Sequence, residues 1–156
     1  MIQDRHAAEN DQQAAPVGRT ILLYDGVCGL CNRFVRFVLR RDRMAAFYFA
    51  PLQGKFSQAI LGRATVDLSS LDTVVLVRNA DTPAESLLFR SDAAIEVFIL
   101  LGGGWAFWAR WLRRLPRGIR DAGYRLVART RYRIFGKYDA CPLPAPEDRA
   151  RFLPPD

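Results

Sequence analysis

The sequence predicts an α/β fold, a central mixed sheet flanked by helices, and three observations carry that reading. The apolar run Ile21 to Tyr24 is followed within a few residues by Cys28-Gly29-Leu30-Cys31 and a helix-like run from Asn32 to Leu39. Strand-like and helix-like stretches then alternate in the order β-α-β, helix, β-β-α as far as Leu101. Finally, 50% of the 156 residues are hydrophobic. A single domain of this size buries roughly two thirds of its unfolded surface, so no second domain is needed.

Residues Met1 to Gly18 are polar and Gln-rich, with no apolar stretch resembling a signal peptide, and are expected to form a disordered leader. The domain is expected over residues 19–153, with Ile21 to Asp25 a buried strand and Cys28 to Arg41 a helix. That helix should turn Leu30, Phe34, Phe37 and Val38 to the core and Arg33, Arg36 and Arg40 to solvent. Ala46 to Leu52 reads as the second strand and Gly54 to Leu61 as a short helix. Thr73 to Val77 is the third strand, paired with Ser86 to Phe89 across the loop Asn79-Ala80-Asp81. Ser91 or Asp92 can cap a helix from Ala93 to Leu101, which Gly102 to Gly104 ends. Two amphipathic helices should follow. The first, Trp105 to Leu115, places Trp105, Trp108, Leu112 and Leu115 on one stripe and Arg110, Arg113 and Arg114 on the other side. The second follows Pro116, with Ile119, Tyr124, Val127 and Ile134 inward and Arg120, Arg125, Arg129, Arg131 and Arg133 exposed.

The CxxC at a strand-to-helix junction points to redox chemistry. A helix start presents free backbone N–H groups and the positive dipole end, so a thiol placed there ionises readily. Helix-start CxxC cysteines titrate at about 3.5 to 7.5, against about 8.5 for a free thiol. Cys28 is the expected attacking thiol, readily ionised and open to solvent. Cys31, one turn along the same face, is the expected resolving thiol. Asp25, three residues before Cys28, is placed either to take the Cys31 proton or to cap the following helix. A phosphatase loop of the haloacid dehalogenase type is excluded, because it needs a second Asp and positions 23 and 27 are Leu and Val.

Cys141 in Asp139-Ala140-Cys141-Pro142 is distant in sequence. A buried structural thiol is the simplest reading, ahead of a third redox thiol or a zinc ligand with Cys28, Cys31 and His6. Tetrahedral zinc sites usually bring ligands as two close pairs, and this chain offers one. No metal and no cofactor is expected. Three cysteines, two of them in CxxC, fit a reducing compartment, and the cytoplasm is the default. The longest uncharged stretch, Val97 to Ala109, is 13 residues with three consecutive glycines, short of the roughly 20 a membrane span requires.

The segment Leu22-Leu23-Tyr24-Asp25-Gly26-Val27-Cys28-Gly29-Leu30-Cys31-Asn32 resembles the signature of the DCC family of thiol-disulfide oxidoreductases, with its D-x-x-C-x-x-C motif. Further landmarks in the family's order are Phe49-Ala50-Pro51-Leu52-Gln53, Asp72 to Val77, Arg90-Ser91-Asp92-Ala93-Ala94 and Tyr132-Arg133-Ile134-Phe135-Gly136-Lys137. The resemblance covers roughly residues 20 to 153. It implies a thioredoxin-like fold, here with an Arg-rich helical C-terminal extension, and a disulfide-exchanging activity. One departure stands out. Thioredoxin-like folds usually place a cis-proline before the strand facing the CxxC, where it clamps substrate backbone, and here no proline lies between Pro51 and Pro83.

Charge is uneven. Residues 1–100 carry 11 basic and 11 acidic side chains, whereas residues 101–156 carry 12 basic and 5 acidic, so the net +7 lies entirely in the last third. A solvated basic face is the plainest reading; the alternative is contact with an anionic membrane surface or acidic partner. No nucleic-acid motif accompanies the arginines. The expected partners are thus a disulfide-bearing protein or small molecule and a recycling reductant. A non-catalytic zinc module and a membrane-peripheral interaction module remain the competing classes.

Overall fold

The structure is a computed structural model and describes residues 18–66 and 74–154. The proposed leader up to Val17, His6 within it, and Thr73 lie outside these residues. The elements are β1 (Thr20–Tyr24), α1 (Gly29–Arg41), β2 (Phe47–Pro51), α2 (Lys55–Arg63), β3 (Val75–Arg78), β4 (Ser86–Phe89), α3 (Arg90–Leu101), α4 (Gly103–Arg113) and α5 (Arg117–Phe135). A 3-10 turn, Arg149–Arg151, precedes the last described residues.

The four strands form one mixed sheet in the order β2-β1-β3-β4. β1 runs parallel to β2, with Leu22 opposite Phe49 and Tyr24 opposite Pro51. β1 runs antiparallel to β3, and β3 to β4. The central position of β1 explains its unbroken apolar run, since both of its faces are covered. Leu22 and Tyr24 pack with Val35 and Val38 of α1 and Ala93 and Val97 of α3. Ile21 and Leu23 face the opposite way, onto Ile60 and Leu61 of α2. This is the α/β, thioredoxin-like arrangement expected, with the arginine-rich helices appended to the α1/α3 face.

Three local expectations need correction. The inward line of α1 is Cys31, Val35 and Val38, while Leu30, Phe34 and Phe37 are only partly buried. Phe34 and Phe37 are occupied sideways, edge-on to Phe98 of α3 at 5.7 and 5.9 Å. Neither Ser91 nor Asp92 caps α3, whose N-cap position is Phe89 with no side-chain cap bond. Both residues reach α5 instead. Ser91 donates to Asp121, and Asp92 pairs with Arg120 at 2.8 Å and Arg117 at 2.7 Å.

The third correction concerns which faces of α4 and α5 meet the body of the protein. Gly102, at φ 76°, ends α3 and turns directly into α4; the positive φ is a conformation that glycine adopts without steric cost. The buried residues of α4 are Ala106 and Ala109. Trp105 stacks on Phe98 at 5.6 Å, but Trp108 and Leu112 face outward at 66% and 48% exposure. On α5 the buried residue is Arg131, and Ile119, Val127 and Ile134 are exposed. Most of the expected stripe residues point away from the sheet; Trp105 and Tyr124 do not, Tyr124 accepting Val74 N–H at 2.9 Å.

After α5 the chain returns across the motif. Lys137 forms an isolated antiparallel bridge with Cys28, and Tyr138 N–H donates to the Val27 carbonyl at 2.7 Å. The tail then lies along the edge of β2. Phe152 stacks on Phe49 at 5.2 Å, and Arg151 pairs with Asp42 and donates to the Phe47 carbonyl at 3.0 Å.

Candidate active site

The loop between β1 and α1 is set by a few side-chain bonds. Asp25 Oδ1 accepts from Val27 N–H at 3.1 Å and from Gln53 Nε2 at 2.8 Å, and Gln53 Oε1 accepts Gly26 N–H at 3.2 Å. Asn32 Nδ2 donates back to the Gly26 carbonyl at 2.8 Å and the Cys28 carbonyl at 2.9 Å. Asp25 therefore shapes the turn, and the cap of α1 is Cys28 itself, whose sulfur accepts Cys31 N–H at 3.5 Å. The capping role considered for Asp25 belongs to Cys28.

Both motif thiols are free and buried. Cys28 is 0% exposed, where a helix-start thiol was expected to be open to solvent. The reason is the returning segment Gly136 to Tyr138. Gly29 N–H donates to the Gly136 carbonyl at 3.1 Å, and a Cβ on Gly29 would lie 2.1 Å from the Phe135 carbonyl oxygen. Only glycine allows this approach. The CxxC is here lined by Gly136 to Tyr138.

The two thiols are pushed in opposite directions. Cys28 is pulled down to about 6, chiefly by a hydrogen bond from the Cys31 thiol; burial opposes this, and Cys31 N–H, the Arg131 charge and Leu30 N–H add to it. Cys31 is pushed up, first by that same bond, then by burial and by the charge on Cys28. Opposed shifts of this kind suit one thiol to attack and the other to resolve.

Arg131 was expected on the solvent face and instead enters the site. Its Nη1 lies 4.0 Å from Cys31 Sγ and its Nη2 3.3 Å from Asp25 Oδ2. The same Nη2 donates to the Tyr132 hydroxyl at 3.1 Å, and that hydroxyl donates to Asp25. Tyr132 is pushed up to about 12 by burial and by that bond to Asp25. Gln53, Asn32, Arg131 and Tyr132 are thus site residues that motif reasoning did not single out. Gln53, Asn32 and Tyr132 fall within the stretches resembling family landmarks, which was the available signal. Arg131 had none, because an arginine in an Arg-rich amphipathic helix reads as solvated.

Cys141 comes to the far side of the loop, half-buried, with its sulfur 3.9 Å from the Tyr24 hydroxyl. A Cβ on Gly26 would meet that sulfur at 2.6 Å, so Gly26 is the residue that admits it. Burial pushes the Cys141 thiol up. Among the described residues no three His, Cys, Asp or Glu side chains are grouped to hold a metal ion.

The model of the DCC1-like thiol-disulfide oxidoreductase family matches residues 22–137, from the middle of β1 to Lys137 beside Cys28. This chain belongs to that family. It is 35% identical over 134 residues to the uncharacterised protein YuxK of Bacillus subtilis, covering 86% of this chain and 93% of that protein. It is 37% identical over 128 residues to a chloroplastic DCC family protein of Arabidopsis thaliana, covering 80% of this chain and 70% of the relative. No solved structure matches the chain significantly. The matched span includes both thiols, Asp25, Gln53, Arg131 and Tyr132, so the whole hydrogen-bonded cluster lies within the family's region. Among the described residues no helix is long and apolar enough to cross a membrane.

Proposed function

We propose that this DCC1-like protein catalyses thiol-disulfide exchange through the Cys28/Cys31 pair. The observation that carries this reading is the opposed electrostatics of the two thiols, one held near 6 by a hydrogen bond from the other. The Cys28 thiolate attacks one sulfur of a substrate disulfide; the second sulfur leaves as a thiolate and takes a proton. That forms a mixed disulfide and removes the Cys28 anion. With the anion gone, the largest influence raising Cys31 disappears, while Arg131 remains 4.0 Å away to stabilise a Cys31 thiolate. Cys31 then loses its proton and attacks Cys28 Sγ. The substrate leaves as a thiol and the protein holds a Cys28–Cys31 disulfide, two electrons having passed to the substrate. An external dithiol returns it to the reduced form.

Within this reaction Asp25 acts chiefly as a positioning residue. Val27 N–H, Gln53, Tyr132 and Arg131 all engage its carboxylate, which favours an anchor for Arg131 over a free proton acceptor. Asp25→Asn distinguishes the two. Loss of the anchor moves the pH at which Cys28 is alkylated, whereas loss of a proton acceptor leaves that titration in place and slows resolution of the mixed disulfide.

The decisive experiment pairs insulin reduction, recycled by dithiothreitol, with mass spectrometry. Cys28→Ser is expected to abolish turnover. Cys31→Ser should accumulate a covalent adduct on Cys28, because attack proceeds and resolution fails. Full turnover in Cys28→Ser would remove the enzyme reading. One bound zinc per chain in reduced protein, with no turnover, would replace it with a metal module.

A further inference from the structure

We propose that the outward faces of α4 and α5 form a docking surface for an anionic lipid bilayer, with α4 lying in the membrane interface. Both helices have inverted amphipathicity. α4 turns its two small residues, Ala106 and Ala109, to the protein and exposes Phe107, Trp108, Trp111 and Leu112, with Leu115 exposed just past its end. At 100° per residue the four helical residues form one outward stripe, and Arg110 and the C-cap residue Arg114 follow one edge of it. α5 points its polar groups inward: Arg120 to Asp92, Tyr124 to the Val74 backbone and Arg131 to Asp25. It exposes Ile119, Leu126, Val127 and Ile134, the last at 66%, with Arg125, Arg129 and Arg133 along one side. An aqueous surface does not favour two consecutive helices arranged in this way.

Charge selects the occupant. Asp121 is the only carboxylate of α4 and α5, and it is engaged by Ser91. The outer faces therefore offer apolar surface and arginine with no exposed acidic side chain. A second copy of the chain would bring like charges together, with no carboxylate on either face to offset them. An anionic bilayer supplies both complements at once, hydrocarbon beneath the stripe and phosphate beside it. Trp rings suit the headgroup level, and arginines can extend alongside while their stems stay on apolar surface. At 11 residues α4 is far too short to span, which fits a helix lying in the plane of the interface. The surface is separate from the thiol chemistry, although α5 carries Arg131 of the site on its inner side.

The chain reports on this surface directly, because its three tryptophans, Trp105, Trp108 and Trp111, all lie on α4. With vesicles containing phosphatidylglycerol, tryptophan emission is expected to shift to the blue and the protein to co-sediment. Both should weaken in high salt and be absent with pure phosphatidylcholine vesicles. Arg110→Gln with Arg114→Gln should weaken binding about 30-fold, at roughly fivefold per arginine near an anionic surface. Trp108→Ser with Trp111→Ser should abolish binding while Cys28 alkylation, the control for an intact fold, stays normal. The proposal is overturned by no emission shift on anionic vesicles, by equal binding to neutral ones, or by a dimer in solution whose α4 tryptophans are already shielded. Capture by an acidic protein, with indifference to lipid, would overturn it as well.

Discussion

The two ends of this molecule use arginine and aromatic side chains in opposite ways. At the CxxC, the buried Arg131 sits between Asp25 and Cys31, and the aromatic rings of Tyr24 and Phe49 are sealed in the core. On α4 and α5, arginines line the rim and the rings of Trp108 and Trp111 are more than half exposed. A buried charge is tolerated only when paired and hydrogen-bonded, so the first end is a built site. An exposed apolar stripe adds little to folding, so the second end is explained by what it meets outside the chain. The difference separates residues that hold the fold from residues available for contact.

Four measurements sharpen or break that contrast. The largest effect is expected at Arg131. Arg131→Met leaves the buried Asp25 without its cation and should cost about 3–5 kcal/mol. It should also raise the pH at which Cys28 reacts, since the Arg131 charge helps hold that thiol down. Adding Asp25→Asn should recover part of the stability. Denaturant unfolding and iodoacetamide kinetics measure both effects, and a loss below about 1 kcal/mol with an unmoved profile would show that the pair is peripheral.

Gly29→Ala comes next. The added Cβ would press on the Phe135 carbonyl at 2.1 Å, a backbone group that cannot rotate away. A loss of about 1–3 kcal/mol is expected, together with faster alkylation of Cys28 as the segment Gly136 to Tyr138 lifts from it. Unchanged alkylation would mean that the thiol is reached by a route that does not pass Gly136 to Tyr138.

The pH dependence is smaller and has a definite sign. Cys28 falls to about 6 in the native protein, against about 8.5 in the unfolded chain. Its contribution is therefore complete above pH of about 8.5 and is lost as the pH falls through about 6. Cys31, pushed up, opposes this only above its unfolded value. The melting temperature of the reduced protein, relative to that of the oxidised protein, should rise between pH 6 and pH 8. Because a stabilised thiolate favours the reduced form, the Cys28/Cys31 couple should lie on the oxidising side of about −270 mV. A potential below that value, measured against glutathione or dithiothreitol, would contradict the assigned electrostatics.

The smallest effect belongs to the outer helix. Trp111→Ser should change stability by no more than about 0.5 kcal/mol, because its ring is 57% exposed. Phe49→Ala, which empties a fully buried site, should cost about 3–5 kcal/mol. Comparable losses at the two positions would mean that α4 is buried against something in solution.

Much of the centre was legible in advance because local signals and tertiary packing agree there. The apolar run of β1 required cover on both faces, and the spacing of Cys28 and Cys31 placed two thiols at a helix start whatever packed nearby. Strand Ser86 to Phe89 and the position of the positive charge were likewise readable along the chain. The rest depended on orientation. Periodicity shows that a helix has two faces, but it does not say which one meets the protein. In α4 the face with Ala106 and Ala109 approaches α3, and in α5 the face with Tyr124 and Arg131 turns to Val74, Asp25 and Cys31. Their bulky apolar residues were consequently left outside. Arg131 became a site residue only because Asp25 and Cys31, about a hundred positions earlier, converge on the same point. The burial of Cys28 likewise needed Gly136 to Tyr138 to return across Gly29. Both are contacts between distant segments that no spacing within the motif encodes.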